Sequence, residues 1–91
     1  MYIRANIIVT GMVQGVGYRY FTAHEAHRLS LAGTVRNHVD GSVHVTVEGE
    51  KSLIIELTKR LRIGPTFSDV KAVDVEYAEY KNEYNDFRII S

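Results

Sequence analysis

Three glycines and one arginine stand close enough along this chain to grip an anion. The stretch Val9-Thr10-Gly11-Met12-Val13-Gln14-Gly15-Val16-Gly17-Tyr18-Arg19 leaves a β-rich segment and enters a helical pattern. Glycine carries no Cβ, so its backbone reaches φ > 0 and can turn N–H groups inward around a charge. The start of the following helix adds unpaired N–H groups and a partial positive charge. An arginine there presents a planar fork that matches two phosphate oxygens. The chemistry on offer is capture of one phosphate-sized dianion. Taken alone, the same stretch also reads as an ordinary strand-to-helix turn. No Gly-Lys-Ser/Thr follows, so it is not a Walker loop. Tyr20 stands where a dinucleotide fingerprint needs its third glycine, so a nucleotide reading is weak.

Few other groups offer chemistry. There is no cysteine, which removes a thiol nucleophile, a disulfide framework and a cysteine-based metal site. His24 and His27 are three apart on a helix, but His-Glu-Ala-His is one residue too short for the H-E-x-x-H zinc pattern and no third ligand is apparent, so both read as solvated. His38 and His44 read as surface residues of hairpin strands, with a ligand role left open for His38 because it adjoins Asn37. Glu25 falls near the middle of an apolar helical stripe. It is expected to reach the stripe's edge or bond a neighbour, the alternative being a buried functional acid.

These groups must be positioned by one domain, residues 1–91, because 91 residues suffice for a single modest core. Hydrophobic residues are 45% and charged residues 24%, a globular composition. The formal net charge of +0 argues against a nucleic-acid binder driven by counterion release. The N-terminus shows no basic stretch followed by an apolar run, and no run approaches the ~20 residues that span a bilayer, so neither a signal peptide nor a membrane partner is expected. A cytoplasmic location fits the lack of cysteine.

Ile3, Ala5, Ile7 and Val9 alternate with Arg4, Asn6, Ile8 and Thr10, the two-residue period of a strand with one buried face. Ile8 on the other face hints at a central or partly covered strand. Tyr18 to Leu31 reads as a helix with Tyr18, Phe21, Thr22, Ala26 and Leu29 on one side, ended by Gly33. Gly33 to Val39 is a second strand, with Val35, Asn37 and Val39 on one face. Asp40-Gly41 signals a two-residue hairpin. Val43, Val45 and Val47 then point inward while Ser42, His44, Thr46 and Glu48 point out, until Gly49-Glu50 breaks the strand. A second helix covers about Lys51 to Ile63, with Leu53, Ile54, Leu57 and Leu61 on its inner face, and Gly64-Pro65 stops it. Val73, Val75 and Tyr77 mark a fourth strand. Lys81 to Asp86 is polar and turn-like, and Phe87, Ile89 and Ile90 form a short closing strand.

The order β-α-β-β-α-β predicts an α+β, ferredoxin-like fold: an antiparallel sheet with two helices on one face and a short extra C-terminal strand. Such folds host many functions. An RNA-recognition module would show aromatics on the open face of its central strands, where this chain has His44 and Thr46. A metal carrier of this fold would show Cys-x-x-Cys, which is absent.

Two segments go beyond the fold. Val9-x-Gly11-x-Val13-Gln14-Gly15-Val16-x-Tyr18-Arg19 resembles the first signature of the acylphosphatases. Gly33-Thr34-Val35-Arg36-Asn37-x-x-Asp40-Gly41-x-Val43, closing with Gly49, resembles the second. Length, element order, Gly64-Pro65 and the closing Phe-x-Ile extend the likeness over essentially the whole chain. Tyr18 stands where the family most often has Phe, adding a hydroxyl that needs a partner. Thr34 stands where an aromatic residue is usual, which bears on packing beside the site.

The resemblance implies hydrolysis of acyl phosphates to a carboxylate and inorganic phosphate. By analogy Arg19 binds the phosphoryl group and Asn37 positions the attacking water. The backbone N–H groups of the loop, Gln14, Gly15, Val16, Gly17 and Tyr18, complete the cradle, while the Gln14 amide either shapes the loop or touches substrate. No metal or organic cofactor is implied, and the chain is expected to act as a monomer on a small-molecule acyl phosphate. Asn37 offers a carbonyl that can hold water at a fixed angle, though it cannot deprotonate it. The alternative is a non-catalytic phosphate- or anion-sensing module, or a regulatory domain working through its sheet edge or as a dimer.

Overall fold

The computed structural model describes residues 1–91, which form a five-stranded sheet and two helices. Strand β1 spans Tyr2–Met12, helix α1 Tyr18–Arg28, β2 Ala32–Asn37, β3 Val43–Glu50, helix α2 Lys51–Ile63, β4 Asp69–Glu79 and β5 Phe87–Ile89. The order across the sheet is β4-β1-β3-β2-β5. This is the expected ferredoxin-like α+β arrangement, with one amendment. The four long strands are antiparallel to their neighbours, but β5 runs parallel to β2, pairing Gly33 with Phe87 and Val35 with Ile89, so the sheet is mixed.

One core fills the space between sheet and helices. The period-2 residues Ala5, Ile7 and Val9, Val43, Val45 and Val47, and Val35 are buried together with Tyr18, Ala26, Ile54, Leu57 and Leu61 from the helices. Strand β1 lies inside the sheet between β4 and β3, and Ile8 on its second face is exposed. Glu25 bonds a neighbour as expected: the Arg60 guanidinium donates to its carboxylate at 3.0 Å across the helix pair.

Several local expectations fail. Gly33 does not end α1. The chain leaves the helix through Ser30 in the left-handed region (φ 55°), with the Leu31 N–H returning to the Ala26 carbonyl at 3.0 Å. Gly33 lies inside β2, where a Cβ would come within 1.9 Å of the Thr46 carbonyl oxygen. Strand β2 stops at Asn37, and Val39 is 98% exposed at a turn tip instead of facing inward. Asp40-Gly41 sits in a longer turn than two residues, closed by His38 N–H on the Ser42 carbonyl at 2.8 Å. Gly49 does not break β3, because it pairs with Ile3.

Glu48 was expected to face solvent, yet it is 3% exposed. The polar segment between β4 and β5 folds back over it: the N–H groups of Lys81 and Glu83 donate to its two carboxylate oxygens at 2.7 and 2.9 Å, and Arg4 lies 3.7 Å away. Arg4 also pairs with Glu83. A buried carboxylate is tolerable only with such partners.

Candidate active site

Strand pairing brings the two chemical segments to one end of the sheet. Val43 of β3 pairs with Val9 on one side and with Asn37 on the other. β1 and β2 therefore run in the same direction with β3 between them, and their C-terminal ends lie about 10 Å apart, two strand spacings. β1 leads into the glycine loop and the first turn of α1, and β2 ends on Asn37.

The loop is anchored by apolar residues at both ends. Val13 and Tyr18 are each 1% exposed, and Val16 packs partly on the core. Between them Gly15 and Gly17 take φ 74° and 79°, with only open space where a Cβ would sit. An L-residue would be strained at either position by its backbone alone. The N–H groups of Gln14, Gly15, Val16 and Gly17, and of Tyr18, Arg19 and Tyr20 in the first helical turn, have no acceptor within the chain. No acidic residue lies in that turn, so nothing neutralises the positive end of the helix. Arg19 is the second residue of α1 and half-buried. Its guanidinium has no ion-pair partner, unlike those of Arg4 and Arg60.

The Gln14 side chain shapes the loop. Its Nε2 donates to the carbonyls of His38 at 2.7 Å and Ser42 at 2.9 Å. One amide thus ties the loop to the hairpin immediately after Asn37. The Asn37 Oδ1 is buried and has no hydrogen-bond partner. Leaving a buried acceptor unpaired is costly and uncommon. The atom is suited to accept from a bound water or ligand.

The two departures from the family pattern now have places. Tyr18's hydroxyl donates to the Leu61 carbonyl at 2.7 Å. That carbonyl lies in the last turn of α2, and its usual donor four residues on is Pro65, which has no N–H. Burial raises the Tyr18 pKa above the ordinary phenol value. Thr34 alternates with Val35 and Asn37 along β2, so it belongs to the opposite face of the sheet. There it lines a shallow concavity with Glu83, Tyr84, Asp86 and Arg88. A second concavity, among Asn6, Ile8, Asp74, Val75 and Glu76, is also away from the loop. The glycine loop lines neither of these hollows.

The histidines divide. His24 is exposed, and His27 contacts the Phe87 carbonyl at 2.9 Å, so the pair on α1 does not converge on a ligand. His38 and His44, expected separately on the surface, stack with ring centroids 4.5 Å apart and an interplanar angle of 3°. Asp40 joins them: its Oδ1 lies 3.1 Å from His38 Nδ1 and accepts from the Ser42 N–H at 2.9 Å and the Ser42 hydroxyl at 2.6 Å. The Ser42 bonds, then His38, lower the Asp40 pKa to about 2. Burial, then the neighbouring His38 and Arg36, lower that of His44. Arg36 pairs with His44, which sets His38 diagonally beside His44, whereas a two-residue turn at Asp40-Gly41 would have paired His38 with Val43 and put the two rings on opposite faces.

Comparison with known proteins agrees with the two motifs. The acylphosphatase family model matches residues 5–89. An acylphosphatase from Moorella thermoacetica is 46% identical over 89 residues, 98% of this chain and 95% of its own length. One from Chlorobaculum tepidum is 42% identical over 88 residues, 97% of this chain and 96% of its own. The crystal structure of acylphosphatase from Bacillus subtilis superposes with a TM-score of 0.95 at 35% identity, covering 100% of both chains. The chain belongs to the acylphosphatase family.

Proposed function

We propose that this protein hydrolyses acyl phosphates by in-line attack of a water molecule held by Asn37 on a phosphoryl group held by Arg19 and the loop amides. The observation that carries the reading is the buried, unpartnered Asn37 Oδ1, at the same end of the sheet as a run of N–H groups with no acceptor. The amides of Gln14, Gly15, Val16, Gly17 and Tyr18 and the Arg19 fork bind the non-bridging phosphoryl oxygens. Charge-assisted bonds of that kind contribute about 1.5–3 kcal/mol each. They accelerate the reaction to the extent that they tighten as charge spreads over the phosphoryl group.

The water oxygen forms a bond to phosphorus as the bond from phosphorus to the acyl oxygen breaks. The carboxylate departs with that electron pair. Asn37 cannot take the water's proton, which passes to an oxygen of the phosphoryl group itself. A carboxylate is a good leaving group, so placing the water supplies what a strong base would otherwise provide. The chain's own groups complete this scheme, and it works as a cytoplasmic monomer without a metal or organic cofactor. A cysteine-free chain needs no oxidising compartment to fold, and no helix is long and apolar enough to cross a membrane.

The test is hydrolysis of benzoyl phosphate by purified protein in the presence of EDTA. Turnover at an undiminished rate supports the proposal. Tight phosphate binding without turnover would replace it with an anion-sensing role, and strong inhibition by the chelator would overturn the metal-free mechanism.

A further inference from the structure

The hairpin that follows Asn37 carries a donor set that hydrolysis does not use. We propose that His38, Asp40 and His44 bind a divalent transition-metal ion of the zinc class. One ring nitrogen from each histidine and one carboxylate oxygen from Asp40 lie within 4.8 Å of one another. In a tetrahedral site with ligands at about 2.1 Å, ligand atoms stand about 3.4 Å apart. Rotation of the three side chains, with the two rings leaving their parallel stack, closes that difference.

Three features favour a bound ion over a chance surface grouping. The two imidazoles, His38 from the turn after β2 and His44 from β3, lie side by side with ring centroids 4.5 Å apart, near enough for one nitrogen of each to reach a common point once the rings turn out of their parallel stack. Asp40 is already drawn to this edge, 3.1 Å from His38 Nδ1. Ser42, 4% exposed, holds it there through its N–H and hydroxyl, and the same hydroxyl oxygen lies 3.0 Å from His44 Nε2. Outer contacts of that kind fix the orientation of metal ligands. Two imidazoles and one carboxylate suit zinc, copper or nickel, and do not suit calcium or magnesium, which require more oxygen ligands. Three protein ligands leave a coordination position for water.

The ion is accessory to hydrolysis. It would still bear on the active end of the molecule, because Gln14 reaches from the glycine loop to the carbonyls of His38 and Ser42, the residues that frame the site. A cation joining the turn after β2 to β3 would hold the hairpin that both Asn37 and Gln14 depend on.

The experiment uses the full chain, stripped with EDTA and dialysed, then titrated with zinc chloride by calorimetry and thermal denaturation. The expected result is one zinc per chain, with Tm rising by roughly 10 °C when free zinc is a hundredfold above its Kd. His38→Ala and His44→Gln should each weaken binding by about tenfold or more and remove most of the Tm rise. The double variant should bind none, while His24→Ala and His27→Ala should bind as wild type. Both pairs of histidines are at the surface, and circular dichroism of the zinc-free variants confirms folding. Absence of stoichiometric binding at 100-fold excess zinc over protein, or binding that survives the His38/His44 double substitution, would overturn the site.

Discussion

Replacing Asn37 with alanine separates its role in the reaction from any role in the fold. Most buried polar side chains contribute to both, so truncation lowers activity and stability together. Asn37 is different because its Oδ1 bonds nothing in the folded chain. Truncation removes no internal hydrogen bond through that oxygen, and it relieves a buried acceptor whose lack of a partner costs about 1–3 kcal/mol. Against this stands the loss of the side chain's packing at a half-buried strand end. Tm should therefore hold or rise slightly. The rate should fall by about 10²-fold, the effect of losing one preorganised polar group, which corresponds to about 2.7 kcal/mol of transition-state stabilisation. Benzoyl phosphate hydrolysis gives kcat and KM, competitive inhibition by inorganic phosphate gives the strength of the anion grip, and a melting curve gives Tm. Loss of kcat with phosphate inhibition unchanged is the expected pattern. Wild-type activity in the variant would refute the water-positioning role. A large fall in Tm with weakened phosphate inhibition would show that Asn37 supports the hairpin.

Other substitutions divide the anion grip from the scaffold. Arg19→Ala should abolish phosphate inhibition and turnover together, and Arg19→Lys should recover little, because a single ammonium cannot span two phosphoryl oxygens; recovery above half of wild-type kcat/KM would contradict a bidentate contact. Gln14→Ala removes both bonds between loop and hairpin. It should cost about 1–3 kcal/mol of stability and raise KM more than it lowers kcat, as measured by denaturant unfolding and steady-state kinetics. Tyr18→Phe leaves the Leu61 carbonyl without a donor, and should lower stability at pH 7 by about 1–2 kcal/mol with hydrolysis unchanged. The same pair reports on pH. The Tyr18 pKa is raised in the fold, so its stabilisation is complete below the unfolded phenol value near 10 and declines as pH rises beyond it. Wild type and Tyr18→Phe should converge above about pH 10, and parallel stability curves would refute the linkage.

The elements were legible where side-chain period alone decides them. Val43, Val45 and Val47 alternate with polar residues, and that pattern survives any arrangement of neighbours that buries one face. What was illegible depended on contacts distant in sequence. Gly33 follows a helix at the place where a terminating glycine is common, but its reason is the Thr46 carbonyl on the adjoining strand. Glu48 continues an outward-facing row, and nothing local announces that the segment around Lys81 and Glu83 will cover it. The parallel docking of β5 likewise rests on partners far apart in the chain, Gly33 with Phe87 and Val35 with Ile89.

The site shows the same division. Glycines at alternating positions before a helix forecast the loop, and the structure gives Gly15 and Gly17 the positive φ that such a loop needs. The role of the Gln14 amide could not be settled from residue type, because a carboxamide serves a ligand or a backbone equally well. Its Nε2 makes two bonds to the hairpin, and they alter how the motifs should be understood. The glycine loop and the strand ending in Asn37 are separated by a whole helix in sequence, and β3 lies between their strands in space. Gln14 connects them directly at their reactive ends. In the proposed mechanism the loop amides have little surrounding protein to fix them, and a water placed by one oxygen tolerates little error in angle. The bond across the sheet end supplies the rigidity that the absence of an enclosing cavity would otherwise forfeit.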